Sequence, residues 1–277
     1  GGMAGPPYTL DKAGATYVLT RDIVADSTAF RITAQNVTLD LNGHAVTFND
    51  KYGAAEAVDS SKNIRTAFHR FTGAPGIVGV RGSDGAKLFN GFIVQGRGGS
   101  GNVCDPILGV RATEIAGVAL DYYGYQMNGF IWAGRVDELH HNVVKDKGTE
   151  LVDRHWAVSA VSGCKKVHHN LIKRCRQRGI SGGDQITHNE IYQDSYATNS
   201  LGISGKEVRG NRILGGGVHI CAISWSPGMQ VIGNLVHLQA ERTKTVRWSE
   251  YGSGRARGSS CNGIRLTQYG SGNTESS

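Results

Sequence analysis

The chain has 277 residues, 39% hydrophobic and 19% charged, which is the composition of an ordinary folded domain. The sequence contains no apolar run of about 18 residues, so a transmembrane helix is excluded. A net charge of +7 favours a polyanion as partner or simply keeps the protein soluble. Forty glycines, only 5 prolines and the lack of a Gly-X-Y period exclude collagen and predict an all-β chain with many tight turns.

The predicted domain organisation follows the chain from its first residues. Residues 1–7 are interpreted as an expression scar or leader, because they begin with Gly1-Gly2-Met3. A single β-strand domain is predicted over 8–268, with polar insertions at 49–76 and 239–262. Residues 269–277 are rich in Gly and Ser, so we expect a flexible tail or a truncated C-terminus there.

A short motif with apolar residues on both sides of an asparagine repeats along this domain. An early variant surrounds Asn90, and another has Gly117 in the asparagine position. The later copies centre on Asn142, Asn170, Asn189, Asn211 and Asn234, which are 28, 19, 22 and 23 residues apart. A period near 20 with short apolar strands is typical of a parallel β-helix, in which equivalent residues of successive coils stack about 4.8 Å apart. The asparagines should therefore form one hydrogen-bonded ladder and can adopt a left-handed backbone.

With this ladder the sequence resembles the right-handed parallel β-helix proteins of the pectate-lyase-like superfamily, over roughly Tyr8 to Gln268. The resemblance implies an all-β, single-stranded right-handed parallel β-helix with three parallel sheets and about ten coils. It also implies a carbohydrate-active protein, since the superfamily includes polysaccharide lyases, glycoside hydrolases, uronan epimerases, phage tailspikes and carbohydrate-binding proteins. The acidic calcium cluster of pectate lyases and the catalytic motifs of polygalacturonases and mannuronan epimerases are absent. No catalytic residue is therefore carried over, and no cofactor is expected. Calcium stays an alternative that no acidic cluster on the groove strand supports.

The strand before each tight turn should place one outward residue per coil in a common column. These residues are Arg81, Arg111, Trp132, Ser162, Ser181, Ser204, Ser224 and Arg265. Neighbouring loops add further cations and aromatic rings, which together suit an acidic polysaccharide or oligosaccharide. The predicted substrate-binding residues are Arg81, Arg111, Trp132, Tyr196, His219 and Arg265. Because the sequence has no nucleic-acid-binding motif, we do not expect nucleic acid as a partner. We also expect no membrane partner, and we expect a monomer.

Beta-elimination in a uronic-acid polymer needs a cation for the C6 carboxylate, a base for the C5 proton and an acid for the leaving oxygen. Loop residues beside the column can fill these roles without a carboxylate. We predict His155 as the base, Arg154 or Arg178 as the cation, and Lys147 and Tyr125 as alternative base and acid. The sequence thus predicts a secreted or periplasmic polysaccharide lyase. A glycoside hydrolase, which needs two suitably spaced carboxylates, and a non-catalytic binding module or tailspike-like adhesin remain as alternatives.

Two histidine pairs precede successive asparagines of the repeat. His140-His141 and His168-His169 are spaced 28 residues apart, as metal ligands could be, but stacking in register on the ladder explains the same spacing. We therefore predict no metal site. The five cysteines lack CxxC spacing and are interpreted as buried structural thiols.

Overall fold

The computed structural model describes residues 4–50, 75–96, 106–122, 131–132, 135–146, 159–175, 178–193, 201–216, 221–225, 228–239 and 262–266. Most of the two predicted insertions and the predicted tail lie outside these residues. Every helix or strand assigned within the described ranges is a β-strand, and all of their pairings are parallel. No helix of this part of the chain is long and apolar enough to cross a membrane. The predicted all-β parallel β-helix is confirmed.

The strands are short and follow one another in chain order. They are β1 (Tyr8–Leu10), β2 (Thr16–Val18), β3 (Ile23–Val24), β4 (Phe30–Ile32), β5 (Thr38–Asp40), β6 (Ala45–Phe48), β7 (Ile77–Gly79), β8 (Asp84–Gln95), β9 (Ile107–Leu108), β10 (Arg111–Tyr122), β11 (Ile131–Trp132), β12 (Arg135–His140), β13 (Val143–Asp146), β14 (Ser159–Ser162), β15 (Cys164–His168), β16 (Leu171–Cys175), β17 (Arg178–Ser181), β18 (Gln185–Thr187), β19 (Glu190–Gln193), β20 (Leu201–Ser204), β21 (Glu207–Arg209), β22 (Arg212–Gly216), β23 (Cys221–Trp225), β24 (Gln230–Ile232), β25 (Leu235–Gln239) and β26 (Asn262–Leu266).

These strands form three parallel sheets. The first sheet has the order β1-β4-β7-β9-β11, and the third has the order β14-β17-β20-β23-β26. The second, sixteen-stranded sheet contains two ladders, which the long strands β8 and β10 join because each pairs in both. Its first ladder is β2-β5-β8-β10-β12-β15-β18-β21-β24, and its second ladder is β3-β6-β8-β10-β13-β16-β19-β22-β25. In the repeats from β12 onward, the asparagine turn leads from the first ladder to the second.

Columns of aliphatic side chains fill the interior between the sheets. In the first ladder, residues in register point inward and are at most 6% exposed: Leu39, Leu88, Ile115, Leu139, Val167, Ile186 and Val208. The second ladder supplies a matching buried column: Val46, Ile93, Leu120, Val144, Ile172, Ile191 and Ile213. Burial of one such side chain contributes about 1.5–3 kcal/mol, so the stacked columns stabilise the fold coil by coil.

The predicted asparagine ladder is confirmed. From Asn170 onward, the Oδ1 atom of each asparagine accepts a hydrogen bond from the backbone N–H of the asparagine in the preceding coil, at 3.0 Å for Asn142 N–H to Asn170 and for Asn170 N–H to Asn189. The same contact joins Asn189 to Asn211 at 2.9 Å and Asn211 to Asn234 at 2.8 Å. Asn142 Oδ1 accepts from the backbone N–H of Val118 at 2.9 Å. Four of the five side chains are only 1–2% exposed, so this ladder satisfies backbone groups inside the protein.

The left-handed residue of the turn precedes the asparagine, contrary to the prediction. Its φ is 54° at His141 and at His169, and 62° at Gly210. Strand register places Asn90 and Gly117 at this left-handed position, so Gly117 is not in the asparagine position. The buried ladder needs the amide to point inward, and the residue before it makes the bend that turns the chain into the second ladder.

Candidate functional site

Strand register aligns the last five members of the predicted column in the third sheet. Strand register aligns Ser162 with Ser181, Ser181 with Ser204, Ser204 with Ser224, and Ser224 with Arg265. We call these five residues the serine–arginine row. The row carries no carboxylate, so it lacks the groups that would most strongly repel an acidic ligand.

The structure places Arg111 outside the predicted column. Arg111 opens β10 and pairs with Arg135 in the second sheet, where its guanidinium lies 3.4 Å from Asp84. Trp132 is in the first sheet, in register with Leu108, and Arg81 is an exposed residue of the turn after β7. Within the described residues no strand register relates Arg81 or Trp132 to the serine–arginine row, so their place in the column stays a prediction.

Most of the predicted catalytic and binding loop residues lie outside the described residues. They are Tyr125, Lys147, Arg154, His155, Tyr196 and His219. Arg178 is placed by its backbone: it opens β17, in register with Ser159 and Leu201, three positions before Ser181 of the serine–arginine row. Arg265 is likewise placed by its strand, at the end of that row. The strands that contain Arg178 and Arg265 belong to the same sheet, where β20 and β23 lie between them.

An open polar groove of about 740 Å³ follows the outer surface of the first ladder. Within the described residues its charged lining consists of four carboxylates and three lysines: Asp137, Glu138, Asp184, Glu207, Lys165, Lys166 and Lys206. Two of these lysines are paired, since Lys165 Nζ lies 2.5 Å from Asp137 and Lys206 Nζ lies 2.6 Å from Asp184. The hydrogen bond from Lys206 lowers the pKa of Asp184 below its usual range. A groove with such balanced charge does not select a polyanion.

Beside this groove, five histidines stack on three successive coils. The rings of His140 and His168 are parallel within 2°, with centroids 4.9 Å apart. His141 stacks on His169 at 5.1 Å, and His169 stacks on His188 at 5.2 Å. The predicted stacking in register is confirmed, and the described residues contain no group of histidine, cysteine and acidic side chains that could hold a metal ion. Parallel imidazoles at this spacing do not converge on one ion.

Each histidine pair is hydrogen-bonded to a glutamate of the preceding coil. His140 Nε2 lies 3.1 Å from Glu114 Oε1, and its Nδ1 lies 2.8 Å from Nδ1 of His141. The next coil repeats the arrangement: His168 Nε2 lies 2.9 Å from Glu138 Oε1, while the Nδ1 atoms of His168 and His169 are 3.0 Å apart. We call each set a Glu–His–His unit. The histidine hydrogen bond also lowers the pKa of Glu138.

The hydrogen bonds determine where the protons lie in a neutral unit. Because the carboxylate accepts from Nε2–H of the first histidine, the Nδ1 of that neutral ring must be an acceptor. The second histidine then donates through its own Nδ1–H, and its Nε2 is unprotonated. One further proton can enter without the loss of a hydrogen bond, but two would place two N–H groups opposite each other at the Nδ1–Nδ1 contact.

Stacking places four histidines close enough to His169 to oppose its protonation. Desolvation and the nearby His168, His141, His188 and His140 hold the pKa of His169 below its usual value. Two unit charges about 5 Å apart repel by about 0.8 kcal/mol in water, so protonation of one ring opposes protonation of the next. Three of these histidines also occupy the left-handed position, which costs about 1 kcal/mol relative to glycine at such a site.

Sequence reasoning found the two histidine pairs but missed the rest of the array. Glu114 and Glu138 precede their partners by 26 and 30 residues, and no local spacing links them. His188 could have been found, since it precedes Asn189 as His141 precedes Asn142. Comparison of the chain with protein-family models, curated proteins and solved structures finds no match. The relationship to the pectate-lyase-like superfamily therefore stays a resemblance of sequence pattern.

Proposed function

We propose that the protein binds an acidic polysaccharide along its third sheet and cleaves it by β-elimination, as a pectate-lyase-like protein acting outside the cytoplasm. The serine–arginine row is the observation that carries this proposal. Its hydroxyls can hydrogen-bond sugar hydroxyls, and the row presents no carboxylate to repel the uronates of a bound chain. The strand that begins at Arg178 lies in the same sheet.

The roles follow from the chemistry of the elimination. His155 takes the C5 proton, and the released electron pair forms the C4–C5 double bond while the C4–O bond breaks. Tyr125 gives a proton to the departing oxygen, so the products are an unsaturated uronate and a new reducing end. Arg178 pairs with the C6 carboxylate and stabilises the enolate-like charge that develops there. No step uses a metal, so a chelator should leave turnover unchanged.

The first experiment incubates the protein with pectate, alginate, chondroitin, heparin and ulvan and records ultraviolet absorbance and reducing ends together. Elimination raises both signals. His155→Ala should lower kcat by about two to four orders of magnitude with little change in substrate affinity. Arg178→Ala should raise KM and lower kcat, since the charge acts on the bound acid and on the intermediate. Arg135→Ala removes an exposed cation from the first ladder and is the matched control.

Each other result of this experiment has a defined meaning. Reducing ends without absorbance indicate a glycoside hydrolase, and salt-sensitive binding without either signal indicates a binding module or tailspike-like adhesin. Full turnover in His155→Ala transfers the base role to Lys147 or Tyr125. The electrostatic screening length falls to about 3 Å at 1 M salt, so exposed charge contacts lose most of their strength there. Binding that is unaffected by salt would therefore contradict recognition of an acidic chain.

A further inference from the structure

The first ladder of the second sheet carries a row of exposed imidazoles, on a different sheet from the serine–arginine row. We call His141, His169 and His188 the imidazole row; all three are exposed and stack at 5.1 Å and 5.2 Å. Interplanar angles of 3° and 13° keep the rings nearly parallel. Neighbouring faces are therefore covered by one another, and the row offers ring edges to a ligand.

The Nε2 atoms of His141 and His169 are the ligand-binding atoms of this row. Their Nδ1 atoms are engaged by His140 and His168, and within the described residues their Nε2 atoms form no hydrogen bond. A proton added at Nε2 preserves every hydrogen bond of the Glu–His–His unit. The imidazolium formed in this way points an N–H donor, and a positive charge, away from the glutamate.

We propose that the imidazole row binds a linear sulfated or carboxylated glycan, more tightly in mildly acidic than in neutral solution. Each Glu–His–His unit takes up one proton and His188 a third, so up to three charges about one coil apart face the ligand. Because these charges repel one another, a polyanion that neutralises them promotes their protonation. This proposal concerns another sheet than the proposed elimination and does not depend on it.

Among the charged side chains around the imidazole row, only the imidazoles change charge near neutral pH. Cations on the adjoining strands are mostly paired with carboxylates: Lys87 with Glu114, Lys165 with Asp137, Lys206 with Asp184, Arg209 with Glu207, and Arg212 with Glu190. Among the described side chains of these strands, the other charged groups include Glu138, bound to His168, and the cations Arg135, Lys145, Lys166 and Lys173. These four cations attract an anion at every pH considered, and the imidazoles add to that attraction only when protonated.

The exposed groups favour a glycan over a single-stranded nucleic acid. Nucleic acids without secondary structure bind by stacking bases on open aromatic faces, and the faces within this row are covered. Ring N–H groups spaced along one line suit the oxyanions of an acidic sugar chain instead. Oligothymidylate therefore serves as the competing probe.

The test measures the affinity of dextran sulfate at constant ionic strength. Its sulfate esters stay ionised, so any pH dependence comes from the protein; we expect about tenfold tighter binding at about pH 5.5 than at about pH 7.5. A triple variant with His141→Gly, His169→Gly and His188→Gly should lose most of this difference in affinity, because of the stacked histidines only the half-buried His140 and His168 then remain to be protonated. Glycine occupies the same left-handed position at Gly210 and Gly233, so this variant keeps the fold. His237→Ala, an exposed histidine of the second ladder, is the control and should behave as wild type.

Nitrogen NMR of the imidazoles gives an independent readout. Dextran sulfate should move the titration of His141, His169 and His188 to higher pH, whereas unsulfated dextran should not. Equal affinity of the wild type at both pH values, or full pH dependence in the triple variant, would overturn the proposal. Equally tight and equally pH-dependent binding of oligothymidylate would overturn the assignment to a glycan. Cleavage activity has no bearing on these outcomes.

Discussion

The substitution Asn189→Ala should destabilise the fold through the buried groups that the lost amide leaves behind. The Asn189 side chain is 1% exposed. Its Oδ1 accepts two hydrogen bonds from Asn170, one from the backbone N–H at 3.0 Å and one from the side-chain Nδ2 at 2.9 Å. Its Nδ2 donates to the carbonyl of Val167 at 2.9 Å. Alanine leaves the Asn170 N–H without its acceptor and removes a donor from Val167. At about 1–3 kcal/mol for each of these two groups, the free energy of unfolding should fall by about 2–6 kcal/mol.

Urea denaturation followed by far-ultraviolet circular dichroism measures this loss, and hydrogen exchange of the Asn170 amide reports it locally. Asn234→Ala is the matched control, because Asn234 is half-buried at the last described position of the ladder, so water can enter the space that its side chain leaves and reach the Asn211 N–H. The control should lose about half as much stability or less. A cost below about 1 kcal/mol for Asn189→Ala, or one no greater than that of Asn234→Ala, would refute the reasoning.

Three further predictions test the turn, the histidine stack and the buried thiol. Gly210 and His188 both have a left-handed backbone (φ 62° and 55°), which glycine adopts without strain and alanine does not. Gly210→Ala should therefore lower the free energy of unfolding by about 1 kcal/mol, whereas His188→Gly should not lower it. Calorimetry that gives the reverse order would contradict this prediction. The pKa of His169 in the folded protein is held below 6.5, so the unfolded chain binds more protons just below that pH and the free energy of unfolding should fall as the pH drops. In thermal melts, the melting temperature of His169→Gly should depend less on pH in this range than that of the wild type. An unchanged slope would contradict the prediction. Burial raises the pKa of Cys164 to about 12, so the native protein should not react with iodoacetamide at this residue. Peptide mapping should find Cys164 alkylated in urea but not in the native protein. Labelling of the native protein would contradict its burial.

The fold was predictable because each coil carries its own pattern. The alternation of apolar and polar residues in strands such as β15 and β18 indicates that Val167 and Ile186 face the interior, and the asparagine marks the turn. The one-residue offset between the asparagine and the left-handed position was not predictable. Both Gly117 and Asn90 are residue types suited to a left-handed backbone, and only strand register shows that they share that place.

The sequence by itself determined the strands, the asparagine ladder and the serine–arginine row, since residues with the same local neighbours recur in every coil. Only the tertiary structure decided which residues of different coils meet where the repeat has no shared residue type. Arg111 lies outside the row because it opens β10 and pairs with Asp84 and Arg135 in the second sheet. Glu114 reaches His140 across 26 residues, and Glu138 reaches His168 across 30, because loops of unequal length still return each strand to the next position of the ladder. Stacking between coils converts distant positions into neighbours, and that register is set by the hydrogen bonds of the sheets as a whole.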